Sequence, residues 1–113
     1  MKYIFFLLMF AAFNSFEQTP EVLAGGIGAR IKMEKGYPVI AEISENSPAQ
    51  KAGLKPEDII LKIDAIPAKD FELEEAIVLI RGPVGKIVKL KIKRGAEELE
   101  FDVERQRLDF SDR

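Results

Sequence analysis

The 113-residue sequence has no cysteine, no histidine and no tryptophan. Without cysteine the chain can form no disulfide, and it offers no thiolate for catalysis or for attachment of a lipid. Because cysteine and histidine are the usual ligands of transition metals, we expect neither a metal nor another cofactor. The 17 basic and 19 acidic residues are interspersed along the chain. A nucleic-acid partner would require a basic stripe, so we expect no nucleic acid.

The first 15 residues, MKYIFFLLMFAAFNS, have the layout of a secretory signal peptide. Lys2 precedes an apolar run from Tyr3 to Phe13, and small and polar residues follow. This run is shorter than the roughly 20 residues that cross a bilayer. We therefore expect an exported protein, periplasmic or secreted. The alternative is an uncleaved anchor, and only in that case do we expect contact with a membrane.

The remaining chain is divided by its hydrophobic pattern. Residues 16–25 (FEQTPEVLAG) have no sustained period and are interpreted as a linker. Residues 26–106 are the predicted domain, and residues 107–113 are a charged tail. The roughly 90 residues after the signal peptide are enough for one modest hydrophobic core.

Three segments in the first half of the domain have the patterns of β-strands. Residues 29–33 and 38–43 alternate between apolar and polar positions, which predicts half-buried strands. Residues 58–63 (DIILKI) are nearly continuously apolar, which predicts a strand buried on both faces. The positions expected to share a face are Ala29, Ile31 and Met33 in the first segment and Val39, Ala41 and Ile43 in the second.

The C-terminal segment KIVKLKIKRGAEELEFDVER predicts a β-hairpin with its turn at residues 94–96. The apolar positions expected in the two strands are Ile87, Leu90 and Ile92 before the turn and Leu99, Phe101 and Val103 after it.

Two helices are predicted between these strands. Ser47 followed by Pro48 suits an N-cap and the first helical position, and Gly53 ends this short helix. Residues 72–81 place apolar side chains at helical spacing before Gly82 and Pro83. The fold class is therefore α+β and mainly β: a small antiparallel barrel or sandwich of five to six short strands, capped by two helices.

The segment GGIGAR fits neither common phosphate-binding loop. A dinucleotide fingerprint requires a third glycine where Ile31 stands, and a P-loop requires Gly-Lys-Ser/Thr at its end. Two interpretations remain. The segment is a flexible turn that leads into a strand, or its backbone N–H groups converge on a carboxylate as an anion-binding nest. In the second case the following strand can pair with an incoming extended peptide.

The motifs GGIGARI, SPAQKAGLKPEDIILKID and LEEAIVLIRGPVG resemble a PDZ domain of the circularly permuted bacterial kind, over about residues 25–106. The resemblance is strongest to the PDZ module of carboxy-terminal processing proteases and weaker to that of periplasmic trypsin-like chaperone proteases. It implies a groove that binds protein C-termini or unfolded peptide segments. The implied peptide-binding residues are Gly26, Ile27, Gly28 and Ala29 in the carboxylate loop, Ile31 in the pairing strand, and Leu73, Ile77, Ile80 and Arg81 on the helix.

Two features of the helix qualify this assignment. Family members that prefer a hydroxyl two residues before the peptide end carry His where this chain has Leu73, which implies an apolar preference there. Arg81 stands where the protease relatives also carry Arg, and it either approaches the ligand end or is a solvated helix terminus. The helix face itself is either a wall of the groove or part of the core.

The sequence departs from the family pattern at Glu57 and Ala65, where relatives usually carry glycine. If either position requires a positive φ, the side chain there costs roughly 1 kcal/mol. Both positions lie away from the implied groove, so they affect stability more than binding.

We expect no catalytic residue. The protease relatives use a Ser–Lys pair in a domain that follows the PDZ module. Ser47 and Lys51 have a spacing that allows contact on a short helix, but no oxyanion hole is recognisable beside them. The acidic residues at 70–75 suit a helix start, with a calcium site as the alternative interpretation.

The predicted function is a non-catalytic peptide-binding module of an exported protein. One alternative is the N-terminal recognition fragment of a secreted carboxy-terminal processing serine protease. Another is a self-associating element whose groove is filled by the chain's own end, LDFSDR.

Overall fold

The computed structural model describes residues 24–107. The elements follow in the order β1 Ala24–Gly25, β2 Ala29–Glu34, β3 Tyr37–Ile43, α1 Pro48–Ala52, β4 Ile59–Ile63, β5 Ile66–Pro67, α2 Leu73–Ile80, β6 Gly82–Pro83, β7 Ile87–Arg94 and β8 Glu97–Glu104. The predicted signal peptide, residues 16–23 of the predicted linker and residues 108–113 of the predicted tail lie outside the described residues.

The larger sheet is antiparallel, with the strand order β2-β3-β4-β7-β8 and β5 attached to β4. The short strands β1 and β6 form a second, two-stranded pair. Ala24 and Gly25 therefore belong to a strand, although the sequence pattern assigned them to the linker. The predicted α+β class is confirmed, because the described chain is a mainly β antiparallel structure with two helices.

A single apolar cluster joins the sheet to both helices. Burying a side chain of this type stabilises the fold by roughly 1.5–3 kcal/mol. The cluster draws on β3, β4, β7, β8, both helices and the loops next to them. Its larger members are Ile27, Ile40, Leu54, Ile60, Ile63, Ile80, Val88, Leu90, Ile92 and Val103.

The predicted alternation in residues 38–43 is interrupted by a bulge in β3. Arg30 pairs with Glu42 but Ile31 pairs with Ile40, so Ala41 is an extra residue. An extra residue reverses the inward–outward alternation beyond it. As a result Ile40 enters the core together with Ile43, and the prediction that Val39, Ala41 and Ile43 share one face was wrong.

A second bulge explains the apolar run in β4. Ile60 pairs with Ile92 and Lys62 pairs with Lys91, which leaves Leu61 as the extra residue. Ile60 and Ile63 are both fully buried as a consequence, while Lys62 is exposed. The apolar composition had predicted burial on both faces, and this prediction was wrong because Lys62 is exposed.

The terminal hairpin forms as predicted, with Gly95 and Ala96 connecting β7 to β8. In β7 the inward residues are Val88, Leu90 and Ile92, all of them 1% exposed or less. Ile87, which the sequence pattern grouped with Leu90 and Ile92, is 53% exposed, because an odd number of residues separates it from Leu90 and it faces the other side of the strand.

Helix α1 has the predicted caps. Ser47 Oγ accepts a hydrogen bond from Gln50 N–H at 3.2 Å, Pro48 is the first helical residue, and Gly53 ends the helix with φ of 100°. Helix α2 begins at Leu73, and Glu72 N–H donates to Glu75 Oε1 at 2.8 Å.

A buried carboxylate links the end of β7 to the segment between α1 and β4. Asp58 is 1% exposed and accepts two hydrogen bonds from Arg94, through Nε and Nη2, each at 2.8 Å. Lys55 N–H donates to the same carboxylate at 2.8 Å. Hydrogen bonding to Asp58 raises the pKa of the Arg94 guanidinium. Arg94 also donates to the Gly53 carbonyl oxygen at 3.0 Å, so it links the hairpin to α1.

Candidate functional site

A groove of about 370 Å³ runs between the free edge of β2 and helix α2. All nine residues predicted for the site lie in its lining, together with Arg30. The lining residues are Gly26, Ile27, Gly28, Ala29, Arg30, Ile31, Leu73, Ile77, Ile80 and Arg81.

The strand wall of the groove is an open sheet edge. β2 pairs with β3 along one side, and within residues 24–107 no strand pairs with its other side. An edge of this kind presents unpaired N–H and C=O groups, which are a template for one more strand.

The loop at the end of the groove depends on Gly28. Its φ is 78°, in the region that favours glycine. A Cβ atom at this position would lie 2.3 Å from Ser47 Cβ. Gly28 therefore permits both the turn and the close approach of the loop to the start of α1.

Three successive carbonyl oxygens of this loop accept hydrogen bonds from the body of the domain. Gly26 O accepts from Gln106 N–H at 3.0 Å. Ile27 O accepts from Ala49 N–H and Gly28 O from Ser44 N–H, both at 2.8 Å. The loop is thus fixed through its carbonyl groups, and one of the donors is an N-terminal amide of α1.

The direction of these carbonyl groups determines the direction of the loop amides. In a planar trans peptide the C=O and the following N–H point to opposite sides, and the described peptide bonds are all trans. The N–H groups of Ile27, Gly28 and Ala29 therefore point away from the groups that hold the carbonyls. Among the hydrogen bonds within residues 24–107, Ile27 N–H and Gly28 N–H donate none. Adjacent amides in this state can bind an anion.

The side chain of Ile27 anchors the loop from below, because it is only 2% exposed and belongs to the core. Only its backbone is therefore left for the role in carboxylate binding that the resemblance implies.

The helix wall is deepest near the loop. Ile80 is 4% exposed, Ile77 is half-buried, and Leu73 at the far end is 37% exposed. The C-terminal end of α2 lies beside the loop, because Gly82 pairs with Gly25 just before it. The groove therefore offers a deep apolar pocket next to the loop amides and a shallower contact farther along. Leu73 and Ile77 thus form the wall of the groove on the helix side. Ile80 also lines the groove and at the same time belongs to the core.

Two guanidinium groups stand at the groove. Arg81 follows α2 and is exposed, with its N–H donating to Ile77 O at 2.9 Å. Arg30 lies on β2 and pairs with Glu42 at 3.1 Å, with both side chains 70% exposed. Arg30 was not among the predicted site residues, because the alternation of residues 29–33 places it with Lys32 on the solvent side of the strand.

The alternatives of a metal site and a nucleophile find no support in the described part of the chain. Within residues 24–107 no three carboxylates are grouped to hold a metal ion. Ser47 is buried, and its hydroxyl is the N-cap of α1.

Within residues 24–107, neither helix is long and apolar enough to cross a membrane.

Comparison with known proteins gives a consistent assignment. The family model described as PDZ domain matches residues 25–104. The carboxy-terminal processing protease CtpA of Bacillus subtilis is 37% identical over 93 residues, which cover 81% of this chain and 20% of that protein. The CtpB protease of the same organism is 40% identical over 82 residues, covering 71% of this chain and 17% of that protein.

Among solved structures, the PDZ domain of a carboxy-terminal protease from Vibrio cholerae, in complex with peptide, has a TM-score of 0.69 and 26% identity. The match covers 78% of this chain and 98% of that domain. The sequence matches thus span about a fifth of the length of the curated relatives, and the structural match spans nearly the whole of an isolated domain.

Proposed function

The chain belongs to the PDZ domain family, and on this premise we propose that it binds the apolar ends of extended peptides without chemistry of its own. The peptide adds as a strand to the open edge of β2, and its terminal carboxylate lies against the amides of the Gly26–Ala29 loop.

One observation supports this proposal: residues of the open strand edge, of the apolar helix wall and of the loop with two undonated amides line the same groove. A peptide end offers the three matching features, namely a backbone to pair, a last side chain to bury and a carboxylate to bind. The deep part of the groove at Ile77 and Ile80 lies where that last side chain would fall. Leu73 favours an apolar side chain two residues earlier.

A second candidate function is substrate recognition within a longer carboxy-terminal processing serine protease. The similarity to CtpA, which covers a fifth of that protein, supports it. Both candidates use the same groove and differ in what is attached to it. The coding sequence downstream of codon 113 distinguishes them, because a protease would continue into a catalytic domain.

We also propose export to the periplasm or the exterior, on the strength of the pattern in residues 1–15. Cell fractionation of the tagged full-length chain tests this proposal, and recovery of the uncleaved chain in the cytoplasm contradicts it.

A library of peptides with random C-terminal residues tests the peptide proposal. We expect enrichment of apolar free carboxyl ends, with micromolar affinity, or about −8 kcal/mol. An enriched peptide is then compared with its C-terminal amide by fluorescence polarisation. Equal binding of the acid and the amide contradicts the role of the loop amides, and no enrichment contradicts the proposal as a whole.

Two neighbouring residues of α2 provide a matched pair of variants. Ile77→Lys places a charge in the groove and is expected to abolish binding of the enriched peptide. Val78→Lys places the same charge on the outer face of the helix, where Val78 is 69% exposed, and is expected to leave binding unchanged. Equal losses in both variants would mean that the groove is not the binding site.

A further inference from the structure

The closed end of the groove is where its two walls meet. β1 comes directly before the loop, β6 comes directly after Arg81, and the two pair through Gly25 and Gly82. The strand-loop wall and the helix wall are therefore joined at this point, and their separation is set here.

Arg105, which follows β8, lies beneath this junction and is 7% exposed. Its Nε donates to Ile80 O at 2.8 Å and its Nη2 donates to Leu79 O at 3.1 Å. These are carbonyls of the last turn of α2, which lack a partner within the helix. The positive charge also suits the negative end of the helix. The nearest carboxylate oxygen, on the half-exposed Asp64, is 4.0 Å away, so the helix end is the main partner of Arg105.

Gln106, the next residue, holds the other wall. Gly26 N–H donates to Gln106 O at 2.9 Å, and Gln106 N–H donates to Gly26 O at 3.0 Å. This reciprocal pair fixes the first residue of the carboxylate loop. Two consecutive residues thus hold the end of α2 and the start of the loop.

The two paired glycines leave the room that this arrangement needs. A Cβ atom at Gly82 would lie 2.8 Å from Arg105 Cζ. A Cβ atom at Gly25 would lie 3.2 Å from Gln106 O. A side chain at Gly82 would therefore collide with the Arg105 guanidinium, and one at Gly25 would crowd the Gln106 carbonyl oxygen.

We propose that Arg105 and Gln106 act as one brace that holds the two walls of the groove at the separation a bound peptide requires. The proposal rests on the peptide-binding function proposed above for its effect on affinity. Arg105 does not line the groove, so it is a positioning residue that acts through Ile80 and, by way of Gln106, through Gly26. A preorganised groove binds more tightly, because less ordering is left for the moment of binding.

The test compares two arginine variants in the full chain. Arg105→Met keeps the aliphatic part of the side chain but removes the guanidinium and both of its hydrogen bonds to α2. Arg94→Met removes the partner of the buried Asp58, makes no change to a residue that lines the groove, and serves as the control for lost stability. Arg105→Lys restores the charge and one donor. All are measured at a temperature where circular dichroism shows them folded.

We expect Arg105→Met to weaken binding of a library-selected peptide about tenfold or more, through loss of preorganisation. Arg105→Lys should recover part of that loss. Arg94→Met should stay within about twofold of the unmodified chain, because the hydrogen bonds of Arg94 go to Asp58 and Gly53 and to no residue that lines the groove. Equal weakening by Arg105→Met and Arg94→Met overturns the positioning role.

Amide hydrogen exchange tests the brace without any peptide. Arg105→Met should speed exchange at the Arg81 and Gly26 amides together, while Arg94→Met should affect neither selectively. Faster exchange at Arg81 alone would show that Arg105 only caps the helix, and it would overturn the brace. If no peptide binds the unmodified chain, the proposed function fails, and the exchange result still decides whether the brace exists.

Discussion

The two edges of the sheet differ in how they are protected. β8, at one edge, carries five acidic residues in eight positions, and α1 packs against it. β2, at the other edge, carries Arg30 and Lys32 beside carboxylates that neutralise them. The hydrogen bond to Glu57, and after it the one to Glu34, raises the pKa of Lys32. On β8, Lys89 and Lys91 of the neighbouring strand neutralise Asp102 and Glu98, and three carboxylates form no ion pair within residues 24–107. The β8 edge is thus acidic in excess and partly covered, whereas the β2 edge is balanced in charge and opens onto an apolar groove.

Natural sheets protect their edges with charge or with a covering element, because an open edge pairs with other chains. The excess negative charge of β8 would make two copies of this strand repel each other, so charge and α1 together protect that edge. Along the groove the β2 edge has neither an excess of charge nor a covering element, and the groove separates it from α2. The difference indicates that strand pairing is suppressed at β8 and permitted at β2, where an added strand would find apolar contacts.

The largest expected effect comes from the buried ion pair of Asp58 with Arg94, the last residue of β7, which is the strand next to β8. Asp58→Ala should destabilise the fold by about 3 kcal/mol, since removing one partner of a buried ion pair leaves the other without compensation. This is the low end of the usual range, because the Arg94 side chain is 31% exposed. Urea unfolding measures the loss, and peptide affinity should be unchanged while the chain is folded.

The matched control for Asp58→Ala is Glu42→Ala, which removes the partner of Arg30 at the open edge. Both side chains of that pair are 70% exposed, so we expect a cost below about 1 kcal/mol. Similar costs for the two substitutions would show that burial of the Asp58–Arg94 pair adds little to the free energy of unfolding.

An intermediate effect is expected on the open side from Gly28→Ala. The left-handed backbone costs about 1 kcal/mol, and the contact with Ser47 raises the total to about 2 kcal/mol or more. The loop must also move, so peptide binding should be lost.

The control for Gly28→Ala is Gly95→Ala, at φ of 63° with no atom within 4 Å of the added Cβ. It carries the backbone cost alone, about 1 kcal/mol, and should leave peptide binding intact. If the two alanine variants unfold at the same urea concentration, the close packing of the loop on α1 does not constrain it.

Much of the open side could be predicted from the sequence, because its signals are local. The caps of α1, the glycine loop and the helical spacing in α2 each depend on residues close together in the chain. The resemblance to a known family then brought the nine site residues into one groove, and the structure places all of them there. Their role in binding a peptide stays a prediction.

The errors arose where distant residues decide the outcome. The bulges at Ala41 and Leu61 are set by the pairing register with neighbouring strands, which alternation within one segment cannot reveal. Arg105 appeared to be one more charge at the end of a hairpin. Its contacts depend on the pairing of Gly25 with Gly82, which lie more than 50 residues apart in the sequence, so no local pattern could reveal them.

The smallest expected effect tests the two departures from the family pattern, which lie in turns outside both edges. Ala65 has φ of 69° and Glu57 has φ of 74°, so both have the conformation that favours glycine. We expect Ala65→Gly to stabilise the fold by roughly 0.5–1 kcal/mol, the relief of the left-handed strain less the added freedom of the unfolded chain. Glu57→Gly should gain less, since it also removes the contact of Glu57 with Lys32 at 3.0 Å. The control is Ala96→Gly, in an exposed turn without positive φ, which should destabilise the fold slightly. If Ala65→Gly destabilises the fold as much as Ala96→Gly does, the strain at residue 65 is negligible.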